Sequence, residues 1–134
     1  LAATEVTREQ YASVFPAVNA EDSKKLLGNL PLVSVSWSEA NEFCKKLTEK
    51  EDASGKLPAG YEYRLPKGRE WMEAYQSDGD FLKSPLEERA WFIKDNDSHE
   101  VPKPVAMLKS NRFGWYDLDG NVMEWCSDVE RSED

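Results

Sequence analysis

The chain has 134 residues, of which 40% are hydrophobic, and its 17 basic and 26 acidic side chains give a net charge of −9. This length predicts one domain, and the acidic balance argues against binding to nucleic acid or to an anionic membrane. No apolar run approaches the length of a membrane span. Cys44 and Cys126 make no disulfide framework, and we expect both to be small buried hydrophobic side chains.

The first predicted element is a short helix from Thr7 to Phe15. Thr7 is its expected N-cap, Gln10 completes a capping box, and Pro16 ends the helix. Residues 19–30 are polar and predict a loop. The β-rich run LVSVSW, residues 32–37, predicts a short and half-buried strand.

A longer second helix is predicted to follow, with Ser36 as its N-cap and Glu39 at the capping-box position. Its apolar residues recur at the spacing of one helix face: Ala40, Phe43, Cys44 and Leu47. On the outer face we expect an i,i+4 ion pair between Glu42 and Lys46. The pattern indicates core scaffold without chemistry.

The middle of the chain alternates turns with short elements. Residues 52–60 predict a turn-rich loop and residues 61–65 a strand. Pro66 is expected to open a third helix, which ends near Gln76 and faces inward through Trp71, Ala74 and Tyr75. Residues 77–88 and 95–103 predict loops around a short strand at 89–93. The second loop contains His99, to which we assign no role.

Residues 111–128, NRFGWYDLDGNVMEWCSD, interleave large rings with oxygen-bearing side chains: Asp117, Asp119, Asn121 and Glu124. This mixture predicts a compact segment around a hard cation such as calcium, which takes 6–8 oxygen ligands. An EF-hand is excluded because Val122 stands where that loop requires glycine. The alternative is that Asp117 and Asn121 make turn hydrogen bonds and that Glu124 pairs with an arginine such as Arg64.

Four separated segments resemble the formylglycine-generating enzyme (sulfatase-modifying factor) family, in the family's order: EVTREQY (5–11), LVSVSWSEANEFCKKL (32–47), YRLPKGREWMEAY (63–75) and GWYDLDGNVMEWCSD (114–128). PVA (104–106) is similar to a short PVG element of that family, with Ala106 in place of glycine. The resemblance implies an irregular α+β fold similar to C-type lectins, with three short helices, few short strands and long packed loops. Residues 1–134 would form a single partial domain, which lacks family segments at both ends.

The resemblance also implies a site. The expected calcium ligands are the side chains of Asp117 and Glu124 and the backbone carbonyls of Gly120 and Val122. Asp119 and Asn121 would then be supporting or turn-forming residues.

Active family members oxidise a substrate cysteine with a copper-binding cysteine pair, which neither Cys44 nor Cys126 matches. We therefore expect copper only if such a pair lies outside these residues. Met123 replaces a tryptophan that lines the family's substrate pocket.

These observations predict a non-catalytic module that binds an unknown protein or small ligand, with no catalytic and no cofactor-binding residues in this chain. Two alternatives stay open: part of a copper-dependent formylglycine-generating oxidase acting on a sulfatase cysteine, and a ligand-binding member of a variable-loop family. A complementary chain that completes the domain is a further candidate partner. The compartment is open, with an extracytoplasmic location favoured. We expect Trp37, Trp71 and Trp125 in the core rather than on a carbohydrate platform.

Overall fold

A computed structural model describes residues 1–16, 28–92 and 101–128. The elements in chain order are α1 (Arg8–Val14), α2 (Trp37–Ala53), α3 (Gly68–Gln76), α4 (Gly79–Lys83), α5 (Leu86–Arg89), β1 (Ala90–Trp91) and β2 (Asp119–Gly120). This is an α+β fold with long connecting segments, as predicted. None of the helices in these ranges is both long and apolar enough to span a membrane.

Both predicted capping boxes are confirmed. At α1 the Thr7 hydroxyl accepts a hydrogen bond from Gln10 N, and the Gln10 side chain accepts one from Thr7 N. Ser36 and Glu39 do the same at α2. These reciprocal bonds satisfy backbone donors that have no partner within the helix, and they explain why local sequence alone locates both helix starts.

α2 packs on α1 through the stacked rings of Tyr11 and Phe43, whose centroids lie 5.4 Å apart. Phe43 is the buried residue of the predicted apolar stripe. The predicted ion pair between Glu42 and Lys46 is wrong, because Lys46 instead binds Glu49 at 3.0 Å. That pair lies on the exposed face of α2 and adds little stability.

Two predicted strands, at residues 32–37 and 61–65, are wrong. The isolated antiparallel bridge between Thr7 and Pro31 lies just before the first stretch, and Ser34 interrupts the extended course of that stretch with a φ of 57°. In the second, Tyr63 N donates to the hydroxyl of Thr48 on α2 at 2.8 Å. Single hydrogen bonds to neighbouring segments replace the ladders that alternating sequence patterns suggested.

The observed sheet is a parallel pair that joins β1 to β2, with Ala90 opposite Asp119 and Trp91 opposite Gly120. It confirms an extended piece within 89–93, although Arg89 belongs to α5 and Ile93 lies outside the described residues. The loop predicted at 77–88 is wrong, because α4 and α5 lie there. The loops predicted at 19–30 and 95–103 lie largely outside the described residues, and His99 lies wholly outside them.

The core is small, and its buried hydrophobic residues come from helices and loops alike: Phe43, Leu65, Ala74, Phe81, Ala90 and Leu118. Trp37 and Trp125, predicted to lie in the core, are 43% and 49% exposed. Each indole N–H instead binds the other segment's backbone, Trp37 Nε1 to Cys126 O and Trp125 Nε1 to Val35 O, both at 2.9 Å. Cys44 and Cys126 are only half buried, contrary to expectation, and no disulfide joins them.

Candidate functional site

The segment that carries the predicted ligands is wound by three residues with positive φ. Asp117, Gly120 and Asn121 have φ values of 53°, 79° and 52°. Glycine adopts this conformation freely, and Asp and Asn tolerate it better than other side chains do. The sequence DLDGN therefore places its permissive residues at the positions where the chain turns most tightly.

Asp117 is almost fully enclosed, with an exposure of 4%. Its Oδ2 accepts a hydrogen bond from Ala106 N at 2.7 Å, and burial raises the pKa of its carboxyl group. Ala106 has a φ of 59° at the position where the related family has glycine. The predicted turn hydrogen bond of Asp117 is thus replaced by a bond to a segment eleven residues earlier.

Glu124 is an exposed residue whose carboxyl group lies against the indole of Trp71. Its Oε2 accepts from Trp71 Nε1 at 3.0 Å. Burial of the carboxyl group raises the pKa of Glu124, and the negative charge of Asp117 raises it further. The predicted pairing with Arg64 is wrong, because Arg64 makes two 2.8 Å hydrogen bonds to Glu70.

A third carboxylate, Glu5, joins this site and was missed by the sequence interpretation. It is 6% exposed, and it accepts hydrogen bonds from Asn121 Nδ2 at 2.9 Å and from Val122 N at 3.2 Å. Burial raises its pKa to about 7; the two hydrogen bonds oppose the rise, while the charges of Asp117 and Glu124 add to it. The available signal was its place at the start of the EVT segment.

The two expected supporting residues take different roles. Asn121 stays in the site, where its side chain also accepts from Lys103 N at 2.9 Å and donates to Lys103 O at 3.1 Å. Asp119 leaves it, because its carboxylate accepts from Tyr75 OH at 3.0 Å and pairs with the buried Arg89. Asp119 therefore anchors β2 to α3 and α5.

The predicted ligands of this site are all oxygen atoms, the donors that a hard cation takes. Asp117 and Glu124 each receive one hydrogen bond from a neutral N–H group, and no ion pair in the described ranges involves either carboxylate. Across those ranges no group of three or more His, Cys, Asp or Glu side chains is arranged to hold a metal ion. An ion here would therefore need backbone carbonyls and water as well, and calcium accepts both.

The positions associated with oxidation chemistry look different. Met123, which stands in place of the family's tryptophan, is 100% exposed. Cys44 lies on α2, and burial raises the pKa of its thiol. A nucleophilic or copper-binding cysteine needs the opposite shift, because the thiolate is the reactive and ligating form.

Comparison with known proteins gives the relatives of this chain. The model of the family "Sulfatase-modifying factor enzyme 1-like domain" matches residues 1–134. Chaperone protein LppX of Paenibacillus barcinonensis is 25% identical, over 91% of this chain and 59% of the relative. Formylglycine-generating enzyme of Mus musculus is 30% identical, over 75% of this chain and 27% of the relative. Serine/threonine-protein kinase Pkn1 of Chlamydia trachomatis is 32% identical, over 73% of this chain and 14% of the relative.

Two solved structures share the fold. The crystal structure of CarF superposes with a TM-score of 0.74 at 23% identity, covering 94% of this chain and 67% of that one. Treponema denticola variable protein 1 superposes with a TM-score of 0.66 at 24% identity, covering 96% of this chain and 63% of that one. The chain spans 59% or less of the three relatives above. Its residues 1–134 belong to the sulfatase-modifying factor enzyme 1-like domain family.

Proposed function

We propose that this domain is a non-catalytic binding module for a protein or small ligand, built on a scaffold that a calcium ion stabilises. The ion would be held by the carboxylates of Asp117 and Glu124 and the backbone carbonyls of Gly120 and Val122. The observation that carries the proposal is the buried carboxylate of Asp117 beside one tightly wound loop, with the carboxyl group of Glu124 close enough for their charges to interact and no ion pair to either in the described ranges.

Ionising the carboxyl groups of this site costs free energy. Buried carboxylates are unfavourable when ionised, and like charges close together add to that cost. Asp117 raises the pKa of Glu124, and both raise the pKa of Glu5. A divalent cation would reverse the sign of the local field and make the ionised forms favourable. Oxygen-only donors select a hard ion such as calcium rather than copper.

Two observations support a non-catalytic role. Met123 leaves a flexible and fully exposed side chain where an oxidase of the family has an indole, and the raised pKa of Cys44 makes its thiol less reactive. Similar sequence also occurs in proteins named a chaperone and a serine/threonine kinase. Such spread favours an accessory module, because one fold commonly carries several functions.

Calcium titration of the intact gene product tests the metal. We expect the melting temperature to rise with calcium and fall again with chelator, because an ion that binds only the native state adds about 2.7 kcal/mol at a hundredfold excess over Kd. Glu124→Gln should abolish the shift. The control Glu49→Gln removes the same charge from the exposed face of α2 and should leave it unchanged. Identical melting curves with calcium and with chelator would refute the metal site.

The catalytic alternative is tested separately. The intact gene product, loaded with copper, is incubated with a peptide that contains the sulfatase cysteine motif, and formylglycine is measured by mass spectrometry. We expect no product. Product that disappears when cysteines outside residues 1–134 are replaced would instead establish the oxidase.

A further inference from the structure

Glu5 is the carboxylate of this site whose two oxygens both accept hydrogen bonds from the loop. Its two oxygens accept separately, Oε2 from Asn121 Nδ2 at 2.9 Å and Oε1 from Val122 N at 3.2 Å. The partners lie 116 and 117 residues later in the chain. Glu5 therefore acts on the loop rather than on a ligand directly.

The backbone around Glu5 is fixed on both sides. Tyr116 N donates to Ala3 O at 2.9 Å, and Leu32 N donates to Val6 O at 2.8 Å. These bonds hold the segment 3–6 between two other parts of the fold. These bonds fix the backbone on both sides of Glu5, and its side chain, which is 6% exposed, has little freedom to move.

Residue Asn121 of the loop is also bonded to a second segment, at Lys103. The Asn121 amide bonds both the N–H and the carbonyl of Lys103 while it donates to Glu5. Asn121 sits at a φ of 52° between Gly120 and Val122. Asparagine tolerates this left-handed conformation better than most residues, and these three hydrogen bonds hold its side chain in place.

We propose that Glu5 is a positioning residue for the calcium site: by holding the Asn121 side chain and the Val122 N–H, it sets the direction of the carbonyls of Gly120 and Val122. This inference rests on the proposed calcium-binding function. Convergence of several oxygens on one ion requires a defined loop conformation, and partners behind the ligands typically change metal affinity about 10–100-fold.

The test is a double-mutant cycle read out as the calcium Kd by isothermal titration calorimetry on the intact gene product. The variants are Glu5→Gln, Asn121→Gly and the double substitution; glycine keeps the positive φ and removes the amide. We expect each single variant to weaken binding about tenfold or more. The double variant should lose less affinity than the sum of the two single losses, because both substitutions act on the Glu5–Asn121 contact. Glu49→Gln is the charge-matched control, with unchanged Kd.

The alternative outcomes are distinct. If the Glu5 variants melt at a lower temperature in chelator but keep the wild-type calcium Kd, Glu5 only stabilises the fold and the proposal is overturned. Strictly additive losses of calcium affinity in the double variant would also overturn it. Glu5→Asp is the second variant; it keeps the charge but is one methylene too short to reach both donors, so an unchanged Kd would also overturn it. Wild-type protein that binds no calcium would overturn the proposed function together with this inference.

Discussion

Asp78 shows how a single side chain ties two parts of this domain together. Its Oδ1 accepts from Asp80 N and Phe81 N, both at 3.2 Å, and so caps α4. Its Oδ2 accepts from Arg112 N at 2.8 Å. The bond from Arg112, followed by that from Phe81, holds the pKa of Asp78 below its ordinary value.

We expect Asp78→Ala to lower the melting temperature by several degrees, because α4 loses its N-cap and Arg112 N loses its partner. Because folding lowers this pKa, the ionised carboxylate adds stability that is fully present at pH values above the unfolded-state pKa of 3.8. That stability is lost as the pH falls through the folded-state pKa. The difference between wild type and variant should therefore be full at pH 7 and shrink in strong acid. Equal melting temperatures at pH 7 would contradict the role.

Gly120 is required for two independent reasons, its φ of 79° and the close approach of the Trp91 carbonyl, which an added Cβ would overlap. We expect Gly120→Ala to cost more than about 3 kcal/mol. Gly114 provides the matched control, because its φ is 80° and nothing lies within 4 Å of an added Cβ. Gly114→Ala should cost only about 1–2 kcal/mol. Equal costs in urea denaturation would show that the contact with Trp91 yields easily.

At the scale of elements, α3 depends on a remote cap. Its N-cap is Lys67, whose ammonium group cannot accept a hydrogen bond. The first helical residue has a remote acceptor instead, because Gly68 N donates to Asp128 Oδ1 at 2.7 Å. Ser127 N adds a 2.7 Å bond to Pro66 O. The end of the described chain thus completes the first turn of α3.

Two substitutions separate the local from the remote cap. Asp128→Ala should destabilise the domain by about 1 kcal/mol, and Lys67→Thr should stabilise it by a similar amount because a hydroxyl accepts from the first turn. Asp128 accepts from Gly68 N, whereas a threonine cap accepts from the second or third helical N–H, so the two effects should add. Chemical denaturation of the four proteins measures this additivity. A loss from Asp128→Ala that vanishes in the Lys67→Thr background would contradict separate capping roles.

The predictable elements are those with local signals. Thr7 with Gln10, and Ser36 with Glu39, locate α1 and α2 because both partners lie within four residues. α4 was read as a loop because its five residues carry no apolar repeat and its cap is shared with Arg112. The stretches at 32–37 and 61–65 alternate like strands, yet their backbone groups bond to scattered partners such as Val6, Trp125 and Thr48 rather than to one neighbouring strand.

Within the site, too, the residues that could be predicted are those close together in the sequence. Asp117 and Glu124 stand seven positions apart, and a short pattern was sufficient to select them. Glu5 binds Asn121 and Val122, which lie between those two residues, across more than a hundred positions, and no local periodicity predicts a contact of that kind. The tertiary bonds of Asp119 to Tyr75 and Arg89 were equally invisible in the sequence.

For the whole molecule, buried acids predict an unusual pH dependence. The pKa of Glu5 is about 7 in the fold against an ordinary 4.5, so between these values the native state binds a proton that the unfolded chain has released. Stability without metal should therefore increase as pH falls from 7 towards 4.5, and the raised pKa values of Asp117 and Glu124 act in the same direction.

Thermal melting in chelator from pH 8 to pH 5 measures this effect, with Glu5→Gln expected to flatten the slope. Calcium should bind more weakly as pH falls, because protons compete for the same oxygens. A metal-free melting temperature that is constant, or that drops on acidification across this range, would contradict the burial argument.

The bonds from Ala3 and Glu5 to Tyr116, Asn121 and Val122 also have a consequence for biosynthesis. During translation, residues 3–5 leave the ribosome more than a hundred residues before these partners do. Pairings this distant slow folding, because the entropy of closing the chain must be overcome first. Until the partners emerge, the carbonyl of Ala3 and the carboxyl group of Glu5 lack these hydrogen bonds.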